Sequence, residues 1–387
     1  MRMLFVAELG GGFGHVRRLL PLARAAERLG FRPTFLVANP SEVESLLGSE
    51  FDVARAPVAP PRRTGAIGSA VAPGFSEILA RAGFDDADFV ARSTGAWRRV
   101  LDELRPSLAV CEFSPYFCWA TRGSALEVLV TGYGFVLPPP DAARFPELLP
   151  TAVDLEPRLL DVLNAVARRH GQPQLAAVPE LFRGTAHAVT GLDLLDPYAS
   201  VRREKAFGPP GLEQYRSRGE IAPVEDIFGY LLGDAPDTTT LLRALVACGV
   251  SGRVYVRRGT AEQRAVVAGS SVAWLSAPES TATAFGRARL IVHHASMLTS
   301  EESVVHGRAQ LVLPLYFEHL FTARALNQAG CASIVRPGTA LSVVTERVRA
   351  ALEDLGMQEA ARQLALANAP QLPGSERLLD LLRSVTE

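Results

Sequence analysis

The sequence predicts an α/β fold built on parallel strands, and its first part supplies one reason. The apolar run Met3–Ala7 is continuous, which is typical of a parallel strand buried on both faces. After a glycine-rich turn, apolar residues recur at helical spacing from Val16 to Leu29, and Gly30 ends the helix. A second apolar run, Phe35–Ala38, completes a strand–helix–strand unit.

The other reason is that the same alternation continues along the chain and restarts in its second half. Further strands are predicted at Leu108–Cys111, Val128–Val130, Ile227–Leu231, Arg253–Val256 and Leu290–Val292. Helices are predicted over 119–126, 239–248 and 358–385, the last of them broken near 370–374. We therefore expect parallel sheets with helices on both faces.

Two stretches without periodicity organise the chain. Residues 56–74 are rich in Pro, Gly and Arg and predict a long functional loop. Residues 207–223 contain Pro209-Pro210-Gly211 and dense charge, and they separate the two α/β halves. We place an N-terminal domain at 1–215, a C-terminal domain at 216–370, and a final helix at 371–387 that could pack back on the N-terminal domain.

Composition and charge exclude several functional classes. The formal net charge of the 387 residues is -1, so no basic excess favours nucleic acid or an anionic membrane as a partner. Lys205 is the only lysine, which excludes a Schiff-base or phosphate-loop lysine elsewhere. The bias toward Arg, Ala and Leu suggests a GC-rich bacterial genome. Four scattered cysteines, no long uncharged apolar stretch and no signal peptide predict a soluble cytoplasmic protein without a transmembrane segment.

The glycine-rich turn after the first strand does not match the common nucleotide-binding motifs. The dinucleotide fingerprint needs a third glycine where His15 stands, and no acid follows the second strand. A phosphate-loop NTPase needs Lys-Ser/Thr where the chain has His15-Val16. The G-x-S-x-G and H-E-x-x-H motifs are absent from the sequence. Dehydrogenase and NTPase functions are therefore disfavoured.

The turn 11–15, Gly-Gly-Phe-Gly-His, resembles the first turn of GT-B glycosyltransferases of the family 1 and family 28 types. Family 1 enzymes also carry H-x-G-x-x-[ST]-x-x-E, then G-x-P, then P-x-x-x-D-Q. Here the matching block runs from His294 to Glu302, continues through Gly307 and Pro314, and ends at Glu318-His319, with matching spacing throughout. The resemblance covers essentially the whole chain. It implies the GT-B fold, in which two Rossmann-like parallel-sheet domains face each other across a cleft.

Three departures from the family pattern concern the donor site. Ala295 and Ser296 replace the usual glycine after the histidine, and Ala309 replaces the proline of G-x-P. Glu318-His319 replaces Asp-Gln. Because a side chain hinders close approach of the backbone to a diphosphate, these changes put the donor's binding mode in doubt, and full activity as well.

The resemblance implies an inverting, metal-independent sugar transfer from a nucleotide diphosphate to an acceptor hydroxyl, without a cofactor. His15 stands where the family has its general base, a role that suits an imidazole. Glu112, at the end of the strand after Arg105-Pro106, stands where the family has the carboxylate that orients the base. The alternatives are that His15 only caps the first helix and that Glu112 is a rim acid one methylene too long for the role.

The donor residues follow from the second motif. The helix after His294 would bind the diphosphate through backbone N–H groups, assisted by His294 and the Thr299 hydroxyl. The residues expected to present those groups are Ser296, Met297, Leu298 and Thr299. Glu302 would hold the ribose, or else close a capping box with Thr299.

Other candidates complete the donor and acceptor sides. Glu318 and His319 would contact the sugar, or else form a solvated loop pair. Trp274 and Leu275 align with the segment that contacts the base, although Trp274 could equally be a core or surface residue. The acceptor-side candidates are Gly14, Arg62, Arg63, Tyr133 and Phe135, with Arg17 and Arg18 as further cations for an acidic acceptor unless these arginines are simply solvated.

Asp86-Ala87-Asp88 resembles the metal-binding D-x-D of GT-A enzymes, but we expect it to start the helix that runs to Trp97. No metal site is predicted.

Two further functions stay open. The altered donor motif is compatible with a non-catalytic GT-B protein that binds a nucleotide sugar or assists a partner enzyme. A GT-B nucleotide-sugar epimerase would need additional acids or bases in the cleft, which the sequence does not reveal. The sequence does not distinguish a UDP from a TDP donor, nor a small-molecule, lipid or glycan acceptor.

Overall fold

Two six-stranded parallel sheets form the framework of the protein in a computed structural model. The structure describes residues 1–9, 13–57, 74–148, 154–212, 223–372 and 374–386. The chain divides into two compact units, Met1–Glu213 with Pro373–Glu387 and Gln214–Leu372. The terminal segment therefore belongs to the N-terminal unit.

The sheet of the N-terminal unit reverses its winding direction between two central strands. Its strands are β1 Arg2–Ala7, β2 Arg32–Val37, β3 Asp52–Arg55, β4 Leu108–Glu112, β5 Glu127–Tyr133 and β6 Ala186–Thr190. Their order is β3-β2-β1-β4-β5-β6 and all pairs are parallel. Phe5 on β1 lies opposite Phe35 on one side and Val110 on the other. The point between β1 and β4 is where this fold class opens a ligand crevice at the carboxyl ends of the strands.

Helices cover both faces of this sheet. They are α1 Phe13–Arg28, α2 Pro40–Leu47, α3 Phe75–Leu79, α4 Ala87–Leu104, α5 Pro115–Thr121, α6 Glu156–His170 and the C-terminal helix α14 Gly374–Thr386. One core cluster is rich in aromatic residues and includes Trp97 and Trp119. The cluster on the other face includes Phe5, Phe35 and, from α14, Leu378 and Leu382. The C-terminal helix thus completes the core of the N-terminal unit.

The sheet of the C-terminal unit repeats the same winding. Its strands are β7 Glu225–Leu232, β8 Gly252–Arg257, β9 Val272–Leu275, β10 Ala288–His293, β11 Ala309–Val312 and β12 Ala332–Ile334. Their order is β12-β11-β10-β7-β8-β9, again all parallel. The reversal lies between β7 and β10, so His293 and the residues after it stand at the second crevice position.

Seven described helices flank the second sheet. They are α7 Thr238–Ala247, α8 Ala261–Val267, α9 Thr281–Arg287, α10 Met297–Val305, α11 Phe317–Gln328, α12 Leu341–Glu353 and α13 Leu355–Asn368. The fold class predicted from the sequence is confirmed. In the described ranges no helix is both long and apolar enough to cross a membrane.

One predicted element is misplaced. The helix expected over 119–126 is α5, which begins at Pro115 and ends at Thr121. Proline suits the first turn of a helix because it has no N–H to donate there. The long loop predicted at 56–74 and the predicted boundary at 207–223 fall largely on residues outside the described ranges.

Candidate active site

His15 and Glu112 meet at the winding reversal of the first sheet. His15 lies in the first turn of α1, and Glu112 is the last residue of β4, the neighbour of β1. The imidazole Nδ1 lies 2.5 Å from Glu112 Oε2. The Glu112 side chain is fully buried and that of His15 is 13% exposed. The alternative that Glu112 is a rim acid is therefore wrong.

The imidazole of His15 lies between aromatic neighbours. Its centroid is 5.7 Å from the ring of Phe113 and 5.8 Å from that of Tyr133, and both pairs are stacked. Nδ1 is the ring nitrogen that faces Glu112, so the imidazole would carry a further proton on Nε2. A histidine oriented by a buried carboxylate is one arrangement that is compatible with general-base catalysis.

The turn after Glu112 has an unusual backbone. Phe113 adopts φ +45°, a left-handed conformation that costs a residue with a side chain about 1–2 kcal/mol. The Ser114 hydroxyl holds the turn: it accepts from the Glu8 N–H at 3.1 Å and donates to the carbonyl of Glu112 or Val6, at 2.9 and 3.1 Å. Backbone strain held in place by several contacts is common at functional sites.

Glu8 is a buried carboxyl that the sequence analysis did not single out. It follows β1 and accepts hydrogen bonds from the N–H groups of Tyr116 at 2.5 Å and Phe117 at 3.3 Å, in the first turn of α5. The Trp97 indole N–H donates to its other oxygen at 2.9 Å. Burial raises the pKa of Glu8 to about 8, although these hydrogen bonds favour the carboxylate. Glu8 thus ties β1 to α4 and α5 beside the His15–Glu112 pair.

The other acceptor-side candidates divide into three groups. Gly14 lies beside His15 in α1, and Tyr133 and Phe135 are buried at and after the end of β5. Arg62 and Arg63 lie outside the described residues. A role of Gly14, Tyr133 and Phe135 in acceptor binding stays a prediction.

Arg18 is buried, so the alternative that it is a solvated surface arginine is wrong. The residue is 3% exposed, and its guanidinium lies over the Tyr133 ring, 5.0 Å from the centroid. Its Nη1 donates to the Thr190 hydroxyl at 3.4 Å. Arg17 on the neighbouring position is half-buried.

In the C-terminal unit, His294 joins two strand ends. Its Nε2 accepts from the Leu232 N–H at 3.0 Å, and its Nδ1 lies 3.0 Å from the Leu313 carbonyl, to which it donates. Burial lowers the pKa of His294, so the ring is neutral. Both ring nitrogens are hydrogen-bonded to backbone groups, and the expected assistance of His294 in diphosphate binding stays a prediction.

The turn between β10 and α10 keeps a glycine-like backbone without a glycine. Ala295 is buried with φ +59°, and its N–H donates to Nδ1 of His293 at 3.2 Å. Burial lowers the pKa of His293 to about 3, and Gln310 holds its Nε2 at 2.9 Å. The loss of glycine therefore leaves the left-handed turn in place, at the cost of some backbone strain.

The helix α10 begins directly after this turn. Ser296 is its N-cap residue, and the Ser296 hydroxyl donates to the Thr299 hydroxyl at 3.0 Å without capping a backbone N–H. The backbone N–H groups of the first turn have no acceptor within their own helix, and they belong to Met297, Leu298 and Thr299. Met297 and Thr299 are buried, whereas Ser296 and Leu298 are half-buried.

Glu302 is buried in the second turn of α10. Its Oε1 accepts from the Thr281 hydroxyl at 2.9 Å, at the start of α9. The capping box with Thr299 is wrong, because the N-cap is Ser296 and Thr299 already lies inside the helix. The hydrogen bond between Thr281 and Glu302 was not predicted from the sequence.

The remaining donor candidates lie at the carboxyl edge of the same sheet. Glu318 and His319 are in the first turn of α11, and His319 is 8% exposed, so the solvated-loop alternative is wrong. Burial lowers the pKa of His319 to about 3, and its Nδ1 accepts weakly from the Leu315 N–H at 3.4 Å. Trp274 and Leu275 end the edge strand β9 and are half-buried.

Asp86 has the role expected from the sequence. It is the N-cap of α4, and its Oδ1 accepts from the N–H groups of Asp88 and Phe89, both at 3.0 Å. Within the described residues no group of three or more His, Cys, Asp or Glu side chains is arranged to hold a metal ion.

Solved structures share this architecture over the full chain. CalG4, the calicheamicin glycosyltransferase, is similar with a TM-score of 0.71 and 17% identity over 99% of this chain and 98% of that chain. VinC, a glycosyltransferase in complex with dTDP, gives a TM-score of 0.66 at 16% identity, with 100% of both chains covered. The spinosyn rhamnosyltransferase SpnG, complexed with spinosyn aglycone, gives 0.65 at 20% identity, again over 100% of both chains.

The chain has the GT-B fold. No protein-family model and no curated protein matches its sequence. The GT-B fold accounts for the repeated strand order of the two units, because each of its domains is a Rossmann-like sheet. In this GT-B chain each winding reversal is followed by a non-glycine residue at positive φ, Phe113 after β4 and Ala295 after β10.

Proposed function

We propose that this GT-B protein is a glycosyltransferase that moves a sugar from a nucleoside diphosphate to an acceptor hydroxyl. The transfer proceeds with inversion and needs no metal ion. The observation that carries the proposal is the 2.5 Å contact between His15 and the buried Glu112 at the first winding reversal. The residues of the two units divide the work between activation of the acceptor and binding of the donor.

His15 acts as the general base. Its Nε2 removes the proton of the acceptor hydroxyl as the hydroxyl oxygen forms a bond to the anomeric carbon. Glu112 keeps the proton on Nδ1 and stabilises the imidazolium that results. The stacked rings of Phe113 and Tyr133 limit the rotation of the imidazole.

The first turn of α10 binds the leaving group. As the bond between the anomeric carbon and the diphosphate oxygen breaks, negative charge grows on the diphosphate. Backbone N–H groups and the positive end of the helix stabilise that charge, which supports the assignment of Ser296 to Thr299. Ala295 supports it too, because its left-handed backbone preserves the turn that leads into the helix.

The polar side chains beside α10 supply donor recognition. Glu302 holds the ribose hydroxyls through the carboxylate that Thr281 orients. His319, neutral and with Nδ1 accepting from the backbone, offers Nε2–H as a donor to a sugar hydroxyl, and Glu318 accepts from another. Trp274 stacks on the base.

The neighbours suggest the first compounds to test. VinC was solved with dTDP, and SpnG was solved with its aglycone and with thymidine diphosphate. Thymidine diphosphate sugars and aglycones with a free hydroxyl group are therefore the first donors and acceptors to test, with uridine diphosphate sugars beside them.

One observation favours a second function, a nucleotide-sugar-binding protein without turnover. Both ring nitrogens of His294 are hydrogen-bonded to the backbone of Leu232 and Leu313, so the imidazole has no nitrogen left for a diphosphate. The diphosphate would then be bound without this histidine. Under this alternative the chain binds a nucleotide sugar and supports a partner enzyme.

The test combines binding with turnover. TDP, UDP and GDP are added to the protein in EDTA and thermal unfolding is followed; a ligand at 100 times its dissociation constant adds about 2.7 kcal/mol to the stability of the folded state. The nucleotide that binds is then supplied as sugar conjugates with acceptors, and products are identified by mass spectrometry.

The expected result is a glycosylated product from wild type and a His15→Ala variant that binds the same nucleotide but transfers at least about 100-fold more slowly. Binding without transfer by wild type supports the auxiliary function. An isomerised donor sugar without acceptor indicates an epimerase. Full activity of His15→Ala contradicts the proposed mechanism.

A further inference from the structure

Arg18 stands one helical turn after His15 and shares a neighbour with it. Residues three positions apart on a helix lie on the same face, so the two side chains leave α1 side by side. His15 reaches Glu112 at the end of β4 and Tyr133 at the end of β5. Arg18 reaches Tyr133 and Thr190, the last residue of β6.

The two residues that Arg18 contacts are register partners. Tyr133 pairs with Thr190 where β5 and β6 run side by side. The Arg18 guanidinium therefore connects α1 to the paired ends of β5 and β6. His15 connects the same part of α1 to the end of β4. Tyr133 is the residue common to both sets of contacts.

The burial of Arg18 is physically demanding. Arg18 as a residue is 3% exposed, so its charged group has little access to water, and such a loss of hydration is tolerated where the charge meets an aromatic face and a hydrogen-bond acceptor. The planar guanidinium stacks on an aromatic ring as no other cationic side chain does. A cation kept at this cost beside the base fits a role in fixing the geometry of the site.

We propose that Arg18 is a positioning residue for His15 and acts through Tyr133. The guanidinium holds the Tyr133 ring, the ring stacks on the imidazole, and the imidazole keeps the orientation in which Nδ1 faces Glu112. The inference rests on the proposed role of His15 as the base. It differs from the expectation that Arg18 contacts an acidic acceptor, because a buried side chain that spans Tyr133 and Thr190 is already engaged by the fold.

The test follows the imidazole itself and the kinetics separately. The protein is labelled with ¹⁵N-histidine, and the His15 resonances, including the Nδ1 proton shared with Glu112, are assigned by their loss in His15→Gln. Wild type is compared with Arg18→Met, Arg18→Lys and the control Arg28→Met, an exposed arginine at the end of the same helix. The kcat for transfer and the KM of each substrate are measured for the same proteins.

Arg18→Met is expected to shift or broaden the His15 resonances and to lower kcat between about 10- and 100-fold, with both KM values nearly unchanged. Arg18→Lys restores part of both effects, because an ammonium still contacts the ring, and Arg28→Met changes neither. A raised acceptor KM with an unchanged His15 spectrum would assign Arg18 to acceptor binding and overturn the proposal, as would a wild-type spectrum and kcat in Arg18→Met.

A second pair of variants keeps the test decisive if Arg18→Met does not fold. Tyr133→Phe retains the ring and is expected to keep the His15 spectrum, whereas Tyr133→Leu removes the ring and disturbs it. Equal spectra for the two Tyr133 variants contradict the proposal. If no donor is turned over, the proposed function fails, but the spectra still decide whether Arg18 orients His15 through Tyr133.

Discussion

Replacing Glu112 by glutamine removes the negative charge beside the base and keeps the length of the side chain. Glutamine has the same shape, and its amide oxygen can accept from Nδ1–H as Oε2 does now. The tautomer of His15 is therefore preserved, and the variant reports the electrostatic contribution of the carboxylate. The amide nitrogen takes the place of Oε1, which is buried and has no hydrogen-bond partner among the described residues. A loss of stability of about 1–3 kcal/mol is expected from that buried amide.

The magnitude of the catalytic effect follows from the contact. The 2.5 Å approach of Nδ1 and Oε2 puts the imidazolium and carboxylate charges about 4 Å apart, which corresponds to about 4 kcal/mol at an effective dielectric constant of 20. The interaction exists in full only when the imidazole has taken up the proton, so it stabilises the transition state more than the ground state. We expect kcat to fall about 1,000-fold.

The assay is the initial rate of nucleoside diphosphate release at saturating donor and acceptor. Because Glu112 belongs to the N-terminal unit and the proposed donor residues belong to the other, the donor KM should stay within about two-fold of wild type. Thermal unfolding of the same preparation confirms that the variant is folded at the assay temperature.

Glu112→Asp is the matched comparison. It keeps the charge and restores the acid found in the enzymes that this chain resembles, but it withdraws the carboxylate by about 1.5 Å. We expect a loss of about 10- to 100-fold. A Glu112→Gln rate within about three-fold of wild type would refute the assignment of Glu112 as the partner of the base. An aspartate variant as fast as wild type would contradict only the expected cost of the longer distance.

Three further predictions concern the surroundings of the site. Ala295→Val puts a β-branched residue at φ +59° and should lower the free energy of unfolding, measured in urea, by about 2 kcal/mol or more. Ala295→Gly should change that free energy by less than about 1 kcal/mol, and equal values for the two variants would contradict a strained turn. Burial raises the pKa of Glu8 to about 8 in the folded state, above its ordinary value of 4.5, so the folded state binds the proton more tightly. The free energy of unfolding should therefore fall by up to roughly 4 kcal/mol as pH rises from about 5 to about 8, and Glu8→Gln should abolish this slope in urea unfolding at a series of pH values; a slope unchanged in the variant would assign it to another group. Thr281→Val removes the donor to Glu302 Oε1 and should raise the donor KM about three- to ten-fold with kcat unchanged, and a change in kcat alone would argue against a ground-state contact with the ribose.

The central strands could be predicted because they are buried on both faces. β1, β4, β7 and β10 each contain an apolar run of three or more residues, and each stands near the middle of its sheet. Five strands were not predicted: the four edge strands β3, β6, β9 and β12, and β11. All five have only three to five residues, and β3 and β12 are also partly exposed and carry polar residues. The predicted start of α5 at Trp119 is too late, because the helix begins at Pro115, a residue that suits a first helical turn.

The pairing of His15 with Glu112 was predictable from the resemblance, because the motifs occupy the ends of β1 and β4 and these strands are neighbours. Glu8, Arg18 and Thr281 were not predictable as partners. Glu8 contacts Trp97 and residues of α5 that lie far along the chain, and no local pattern marks the contact. Each of the three depends on packing that is set by the whole sheet.

The burial of Arg18 also could not be predicted from the local sequence. An arginine after a glycine turn is usually exposed, so sequence reasoning treats it as a surface cation. It is buried because Tyr133 and Thr190, distant in sequence, come together at the register of β5 and β6. A pattern read along one helix does not reveal which strand ends that helix will cross.

The most direct measurement for the whole account is the turnover rate of wild type and His15→Ala with the donor that binds, in EDTA and at saturating acceptor. We expect a glycosylated product from wild type, equal nucleotide affinity in both proteins, and a rate at least about 100-fold lower in His15→Ala. Equal transfer rates in the two proteins would contradict the assignment of His15 as the base, and nucleotide affinity lost together with turnover would contradict the division of labour between the two units.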